Sequence, residues 1–365
     1  MENLKRKVCI VCTSLDCGGA ERASATQSVI FHNLGFDVSI VTVKSGVAYH
    51  YEGAYFNLGA LKNESDSSLG RIKRLLAFKK FLDRNRFDFI VDNRARNQAY
   101  REFIITKFIY NLPTIYVIHS FEASLAFTKY TWLNKFLYQN KQMVCVSKTG
   151  AEKFKKLYKL KQITTIYNAF DFHKIQEQSN EESDDLNIGD YIIFYGRIHN
   201  ESKNLKLLLE AYKISKLKKN NIKLLILGDG PDLNLIKSYS KELLLSDEVI
   251  SKAFSKNPFP YVKQAKFLVL TSRSEGFAMV IPESFSLGVP VLSVDCEAGP
   301  KEIIKNGFNG LLVENFNKEA LAEGMNRFIE DSETHTTCKE NALKSINKFS
   351  INEISNEWKS LFLKI

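Results

Sequence analysis

Short apolar runs alternate with longer stretches of helical period along almost the whole chain, the pattern of parallel sheets covered by helices. In the first half the runs predict strands at 8–13, 38–43, 89–92, 114–119, 143–146 and 163–167, with helices such as 20–34 and 69–82 between them. Residues 178–190 are polar and acidic, the composition of an exposed linker. The alternation then restarts, predicting strands at 191–196, 223–228, 267–271, 289–293 and 310–313. The fold class is therefore α/β, with two doubly wound Rossmann-like domains. They are expected over 1–180 and 181–350, facing one another across a deep cleft at the C-terminal ends of their strands. The last segment, 351–365, reads as an amphipathic helix packing back toward the first domain through Trp358 and Phe362.

Composition adds limits. With 44% apolar and 25% charged residues in a chain of 365, two ordinary globular cores are affordable. No run approaches the roughly 18 consecutive apolar residues of a membrane span. The first run, from Val8 to Cys12, is too short for a signal-peptide core. A cytoplasmic protein is expected. Cys9 and Cys12 lie in a strand pattern with no second pair or histidine cluster nearby, so reduced buried thiols are expected rather than a metal site. Charge is uneven: residues 1–180 carry 27 Lys and Arg against 15 Asp and Glu, whereas the remainder carries 24 against 26. A basic first half suits an anionic partner: a membrane, a nucleic acid or a phosphorylated acceptor.

Candidate chemistry collects after the strands. Gly18 and Gly19, in Ser14-Leu15-Asp16-Cys17-Gly18-Gly19-Ala20-Glu21-Arg22, follow the first strand and open a helix, as either a tight turn or a phosphate cradle. Arg197, after Gly196, and Lys203, before Asn204, place two cations at the edge of the second sheet. Cations so fixed can stabilise a departing diphosphate without a metal. Gly228-Asp229-Gly230-Pro231 makes another strand-to-helix turn, where turn chemistry and ligand approach are equally good readings. The most specific stretch runs from Ser272 to Phe285, with Glu275 in a loop after an apolar run and Glu283 on the next helix. Carboxylates in such places accept paired hydrogen bonds from sugar or ribose hydroxyls.

Six motifs occur in order: Gly-Gly-Ala-Glu-Arg from Gly18, Gly196-Arg197, Lys203-Asn204, Gly228-Asp229-Gly230-Pro231, Glu275 with Glu283 eight positions on, and Asn306 to Val313. Together they resemble the retaining glycosyltransferases of family 4, which have the GT-B fold, over nearly the whole chain. The resemblance implies that Glu283 holds ribose hydroxyls and Glu275 donor-sugar hydroxyls. It implies that Gly276 and Phe277 present backbone amides, and that Arg197 and Lys203 stabilise the leaving diphosphate. His119 matches a family histidine beside the sugar, against the plainer reading of a strand-end histidine. Gly18, Gly19 and Gly228 are implied around the phosphates. The resemblance also implies front-face displacement with retention, no resident metal and no covalent nucleophile. One departure is Ala253, where similar proteins have a glycine near the nucleotide base.

The sequence Asp295 to Glu302 resembles transferases of bacterial surface glycans, often with N-acetylhexosamine donors. A UDP-sugar such as UDP-N-acetylgalactosamine is expected as donor, with GDP-mannose as the alternative. A glycan or polyprenyl-diphosphate-linked acceptor is expected. Basic stretches at 71–86 and 148–161 suit the anionic inner face of a cytoplasmic membrane, although each alone reads equally well as a packed face with solvated lysines. The rivals are a nucleotide-sugar epimerase, disfavoured by the spaced glutamates, and a non-catalytic basic binding protein. No aromatic-basic RNA motif is visible, and no nucleic-acid partner is expected.

Overall fold

Val8 to Val11 have no exposed surface. A run apolar on both of its sides fits only a strand covered from both faces, and so a parallel sheet. The computed structural model describes residues 5–16, 18–62, 67–182 and 187–364. In it β1 (Lys7–Cys12), β2 (Asp37–Thr42), β3 (Ala54–Asn57), β4 (Phe89–Asp92), β5 (Thr114–Ile118), β6 (Gln142–Cys145) and β7 (Gln162–Thr165) form one sheet, of order β3-β2-β1-β4-β5-β6-β7. A second sheet holds β8 (Tyr191–Tyr195), β9 (Lys223–Leu227), β10 (Val249–Lys252), β11 (Leu268–Leu270), β12 (Val291–Val294) and β13 (Gly310–Val313), in the order β10-β9-β8-β11-β12-β13. The ladders of both sheets are parallel, with Val8 opposite Val38 and Phe89 in the first and Ile193 opposite Leu225 and Leu268 in the second.

Both orders reverse direction beside the first strand of their sheet. The loops leaving β1 and β4 therefore depart to opposite faces, as do those leaving β8 and β11, and each pair opens a crevice at the carboxyl edge. The cores lie on the sheet faces: one gathers Ile192, Phe194, Leu208, Leu224 and Phe267, another Val11, Ile90, Tyr116, Met143 and Phe154.

Two strands escaped the sequence pattern, β3 and β10. Each is a four-residue edge strand whose residues are mostly half-buried, so neither carries a clean apolar run. The unit boundary also differs from the expected 180. One unit comprises Met1–Ala169 with Ile351–Ile365 and the other Phe170–Ser350. Helix Phe172–Gln178 goes with the second unit because Gln176 Nε2 donates to Ser286 O (3.3 Å) and Gln178 O accepts from Asn257 Nδ2 (2.8 Å). Polarity marked the linker there, but packing assigns its first half to a domain. Residues 183–186 of that stretch lie outside the described residues. Among the described residues no helix is long and apolar enough to cross a membrane.

The terminal helix Ile351–Phe362 belongs to the first unit. Trp358 and Phe362 each meet Phe31 edge-on with ring centroids 5.1 Å apart, and Phe362 also lies 4.8 Å from Phe89. Trp358 is fully buried. Trp358→Ala is expected to cost about 3–5 kcal/mol, the scale of a large aromatic cut from a core. Urea unfolding of the two proteins measures it.

Candidate active site

The second unit holds most of the expected residues, and its three strand-end loops are tied into one scaffold. Gly196 (φ 139°) follows β8 and Gly228 (φ 149°) follows β9. A Cβ on Gly228 would fall on the Gly196 carbonyl oxygen, and one on Gly230 on that of Ile198. The Gly-Asp-Gly turn thus meets a backbone-to-backbone requirement between two loops, and Ile198 N donates to Asp229 O across it (2.8 Å). Arg197 is exposed at this edge.

Helical turn Asn200–Lys203 is strapped on two sides. Asp232 accepts from Asn200 N (2.7 Å), Thr271 Oγ1 donates to Lys203 O (2.8 Å), and Arg273 N donates to Ser202 O (2.9 Å). Asn204 ends the turn in the left-handed conformation (φ 50°), which an asparagine tolerates better than most residues, and its Oδ1 accepts from the Arg273 guanidinium (3.4 Å). This strapping brings Lys203 onto the β11 loop, where its Nζ lies 2.5 Å from Glu275 Oε1. The two residues expected to serve different parts of a ligand are an ion pair, 26% and 13% exposed. Gly299 (φ 89°) lies behind them; a Cβ there would approach the Glu275 Cβ to 2.9 Å.

Glu283 sits on helix Val280–Ser286 and is almost completely buried. Tyr195 Oη, at the end of β8, donates to its Oε2 (2.7 Å), so β8 fixes the carboxylate from beneath. The Phe277 ring is buried against Phe349, centroids 5.3 Å apart. Its side chain therefore anchors the loop, while Gly276 beside it is partly exposed.

In the first unit, Gly18 (φ 116°, ψ 160°) precedes helix Gly19–Asn33 in a conformation suited to glycine, and no side chain caps that N-terminus. Cys17 lies outside the described residues. His119 follows β5. Its Nε2 lies 2.8 Å from Asn93 Oδ1, and Asn93 Nδ2 donates to Gln27 Oε1 (2.7 Å). Because the amide nitrogen is committed to Gln27, Asn93 offers His119 an acceptor, and the imidazole proton is assigned to Nε2. Nδ1 is then a lone-pair acceptor, buried and without a hydrogen-bond partner. Burial first, and the nearby Arg96 charge second, lower the His119 pKa to about 3.

Sequence reasoning missed the residues that hold this arrangement. Asn93, Gln27 and Tyr195 were not singled out, nor was the buried cluster that flanks Asn93 in the first unit. In it Arg94 pairs with both oxygens of Asp92 (2.9 and 2.8 Å) and faces Glu102 (3.4 Å), all three buried. The available signal was position: Asn93 follows a strand at the switch point, and Tyr195 ends one. Among the described residues no group of three or more His, Cys, Asp and Glu is placed to hold a metal ion.

The chain matches two family models end to end: Glycosyltransferase Family 4 over residues 17–174 and Glycosyl transferases group 1 over 174–345. It is 26% identical to the Campylobacter jejuni N-acetylgalactosamine-N,N'-diacetylbacillosaminyl-diphospho-undecaprenol 4-alpha-N-acetylgalactosaminyltransferase, covering 96% of this chain and 98% of that one. The amylovoran biosynthesis glycosyltransferase of Erwinia amylovora is 24% identical, over 94% and 95%. Among solved structures, Anabaena HepE in complex with UDP-glucose superposes with a TM-score of 0.80 at 18% identity, over 98% of this chain and 100% of that one. Staphylococcus aureus TarM, in a complex containing UDP, gives 0.77 at 16% identity, over 98% and 99%. These structural likenesses establish a shared two-domain α/β fold, that of the GT-B glycosyltransferases.

A neutral His119 has a stability consequence. The unfolded imidazole takes a proton near pH 6.5 and the folded one only near pH 3, so the unfolded state binds more protons between them. The His119 contribution is complete above about pH 6.5 and lost as pH falls toward 3. In nitrogen-15 NMR, His119 is expected to keep a protonated Nε2 and an unprotonated Nδ1 from neutral pH down to about pH 5.

Proposed function

The chain belongs to glycosyltransferase family 4, and on that premise we propose that it moves an N-acetylhexosamine from a UDP-sugar to a polyprenyl-diphosphate-linked glycan during bacterial surface-glycan synthesis, with retention at the anomeric carbon. The observation that carries the reading is the Lys203–Glu275 pair, built by the strand-end loops at the β8/β11 switch point, together with the buried Glu283 on the helix that follows the β11 loop. Support for the sugar and acceptor comes from the C. jejuni relative, which is named for transfer of N-acetylgalactosamine to an undecaprenol-diphosphate-linked sugar. The UDP reading has the support of solved relatives that hold UDP or UDP-glucose.

Each residue takes a separate part. Glu283, pinned by Tyr195, accepts from the ribose hydroxyls, and Glu275 accepts from the donor sugar. Gly276 and Phe277 supply backbone amides, and Gly18, Gly19 and Gly228 let the backbone come close to the phosphates. His119, a neutral imidazole, takes the place beside the donor sugar. As the bond between the anomeric carbon and the β-phosphate oxygen breaks, Arg197 and Lys203 meet the negative charge that develops on the diphosphate. The acceptor hydroxyl attacks from the same face and passes its proton to the departing phosphate oxygen. No resident metal is required by this scheme, since the two cations do the neutralising. A GDP-mannose donor is the second reading, because the base-contacting stretch departs from the family at Ala253.

A melting screen against UDP, GDP, ADP and their sugars tests the donor. UDP and UDP-N-acetylgalactosamine are expected to raise the melting temperature by mass action. Stabilisation by GDP alone moves the donor to GDP-mannose, and no shift with any nucleotide sinks the donor reading. Glu283→Gln is expected to weaken UDP binding by about 10- to 100-fold, the worth of a hydrogen bond to a charged group. Glu275→Ala is expected to abolish transfer while UDP still binds, as measured by product formation and calorimetry.

A further inference from the structure

Helix Thr131–Tyr138 is apolar on two faces. Leu133 and Leu137 point into the first unit's core, while Trp132 (68% exposed) and Phe136 (59%), one turn apart, point to solvent. A surface helix ordinarily carries polar residues on that second face. The neighbouring element repeats the anomaly. Helix Ala99–Ile104 runs into the π-helical turn Ile105–Ile109, burying Glu102, Ile105 and Ile109 while exposing Tyr100 (81%), Phe103 and Phe108. The two elements are neighbours, since Lys107 Nζ stands 4.2 Å over the Phe136 ring; within the second, Phe103 and Phe108 meet edge-on with centroids 6.0 Å apart. At their N-terminal ends Ala99, Lys129, Tyr130 and Thr131 line one cavity of about 380 Å³. Helix Ser68–Asn85 packs beside the π-helical turn and adds exposed Leu69, Ile72 and Leu76.

We propose that this face docks on an anionic lipid bilayer, with Tyr100, Phe108, Trp132 and Phe136 entering the headgroup layer. Exposed apolar area this concentrated marks an interaction surface, and charge selects the partner. Between residues 99 and 141 the carboxylates are Glu102, buried against Arg94 and Arg101, and the exposed Glu122. Lys107 and Lys129 stand over aromatic rings at 4.2 and 5.2 Å, where their ammonium groups can reach phosphates as the rings sink. Helix Ser68–Asn85, which packs beside the π-helical turn, carries Lys73, Lys79 and Lys80 against one carboxylate, Asp83. A second copy of the chain fits less well, because a two-fold interface would set these lysines against themselves. Lysine with tryptophan and tyrosine is instead the composition of a bilayer interface. In the basic stretch 148–161, Lys153 is engaged, donating to Phe121 O (3.1 Å) and standing 3.6 Å over the Phe121 ring, while Lys155, Lys156, Lys159 and Lys161 are exposed.

The chain contains its own probe. Of its two tryptophans, Trp358 is buried in the core and Trp132 is exposed. Full-length protein is mixed with vesicles of phosphatidylcholine, with or without phosphatidylglycerol, at low and high salt. With phosphatidylglycerol at low salt, the emission is expected to shift to the blue and to be quenched by brominated acyl chains. In co-sedimentation, Trp132→Ser with Phe136→Ser is expected to weaken vesicle binding roughly tenfold or more, given the apolar area lost. Lys107→Glu should weaken it further at low salt. The proposal is overturned if the protein ignores these vesicles, or binds them with unchanged Trp132 emission. A dimer in ultracentrifugation that the double substitution dissolves would also overturn it and assign the face to a second copy. The inference shares the lipid-linked acceptor with the proposed function, yet the two fail separately. A missing nucleotide melting shift sinks the donor reading and leaves vesicle binding standing, and the double variant should keep its UDP shift.

Discussion

Parallel strands release their chains at one edge, and a sheet whose order reverses beside its first strand must leave a crevice there, because loops from adjacent strands turn to opposite faces. Both units obey this constraint, around β1 and β4 in one and β8 and β11 in the other. Most of the chemistry sits within a few residues of those four ends or of the strands beside them. Gly18 follows β1, Asn93 follows β4 and His119 follows β5, while Arg197 follows β8, Gly228 follows β9 and Glu275 follows β11. The recurring glycines answer to the same geometry. Where β8 and β9 end side by side, Gly228 and Gly230 leave room for the backbone of the loop at 196–198.

In the second unit, Lys203 and Glu275 hold one another across two loops that backbone and side-chain bonds already fix. Partly exposed ion pairs contribute little to stability, commonly under about 1 kcal/mol. Their value here is positional. The carboxylate holds the ammonium near the strand ends, and in the proposed reaction so weak a pair would give way to phosphate and hydroxyl partners. Glu283 is different: it is buried, and Tyr195 supplies the hydrogen bond that a buried carboxylate needs.

Much of the architecture was legible in the sequence because a strand covered on both sides must be apolar throughout. Eleven strands were read from the sequence, the edge strand β7 among them although two of its four residues are exposed, whereas β3 and β10, half-buried at sheet edges, were not. The second unit's candidate residues could be picked out because they fall in an ordered series of motifs. What could not be read is which side chains hold them. Tyr195 looks like another aromatic in a buried strand, and Asp92-Asn93-Arg94-Ala95-Arg96 looks like a solvated loop. The outward faces of helices 99–104 and 131–138 escaped for a related reason. Their aromatics fall at spacings that a core also uses, and only burial tells the two apart.

The loop after β4 carries the costlier choice. Asp92, Arg94 and Glu102 are all buried, and removing such charges from water commonly costs more than their attraction returns. Apolar residues of similar volume would pack there without that penalty, but they would not fix the loop in one conformation. Arg94 is bound through its backbone N, Nε and a terminal nitrogen to the Asp92 carboxylate, and Arg96 donates to Arg94 O and Val117 O. Asn93 lies between these anchors with its amide given to Gln27, and so it can meet His119 only as an acceptor. The cluster thus determines a property of a residue it does not touch. Held by Asn93 and kept neutral by burial and Arg96, the imidazole keeps a bare lone pair, and no proton, at its buried Nδ1.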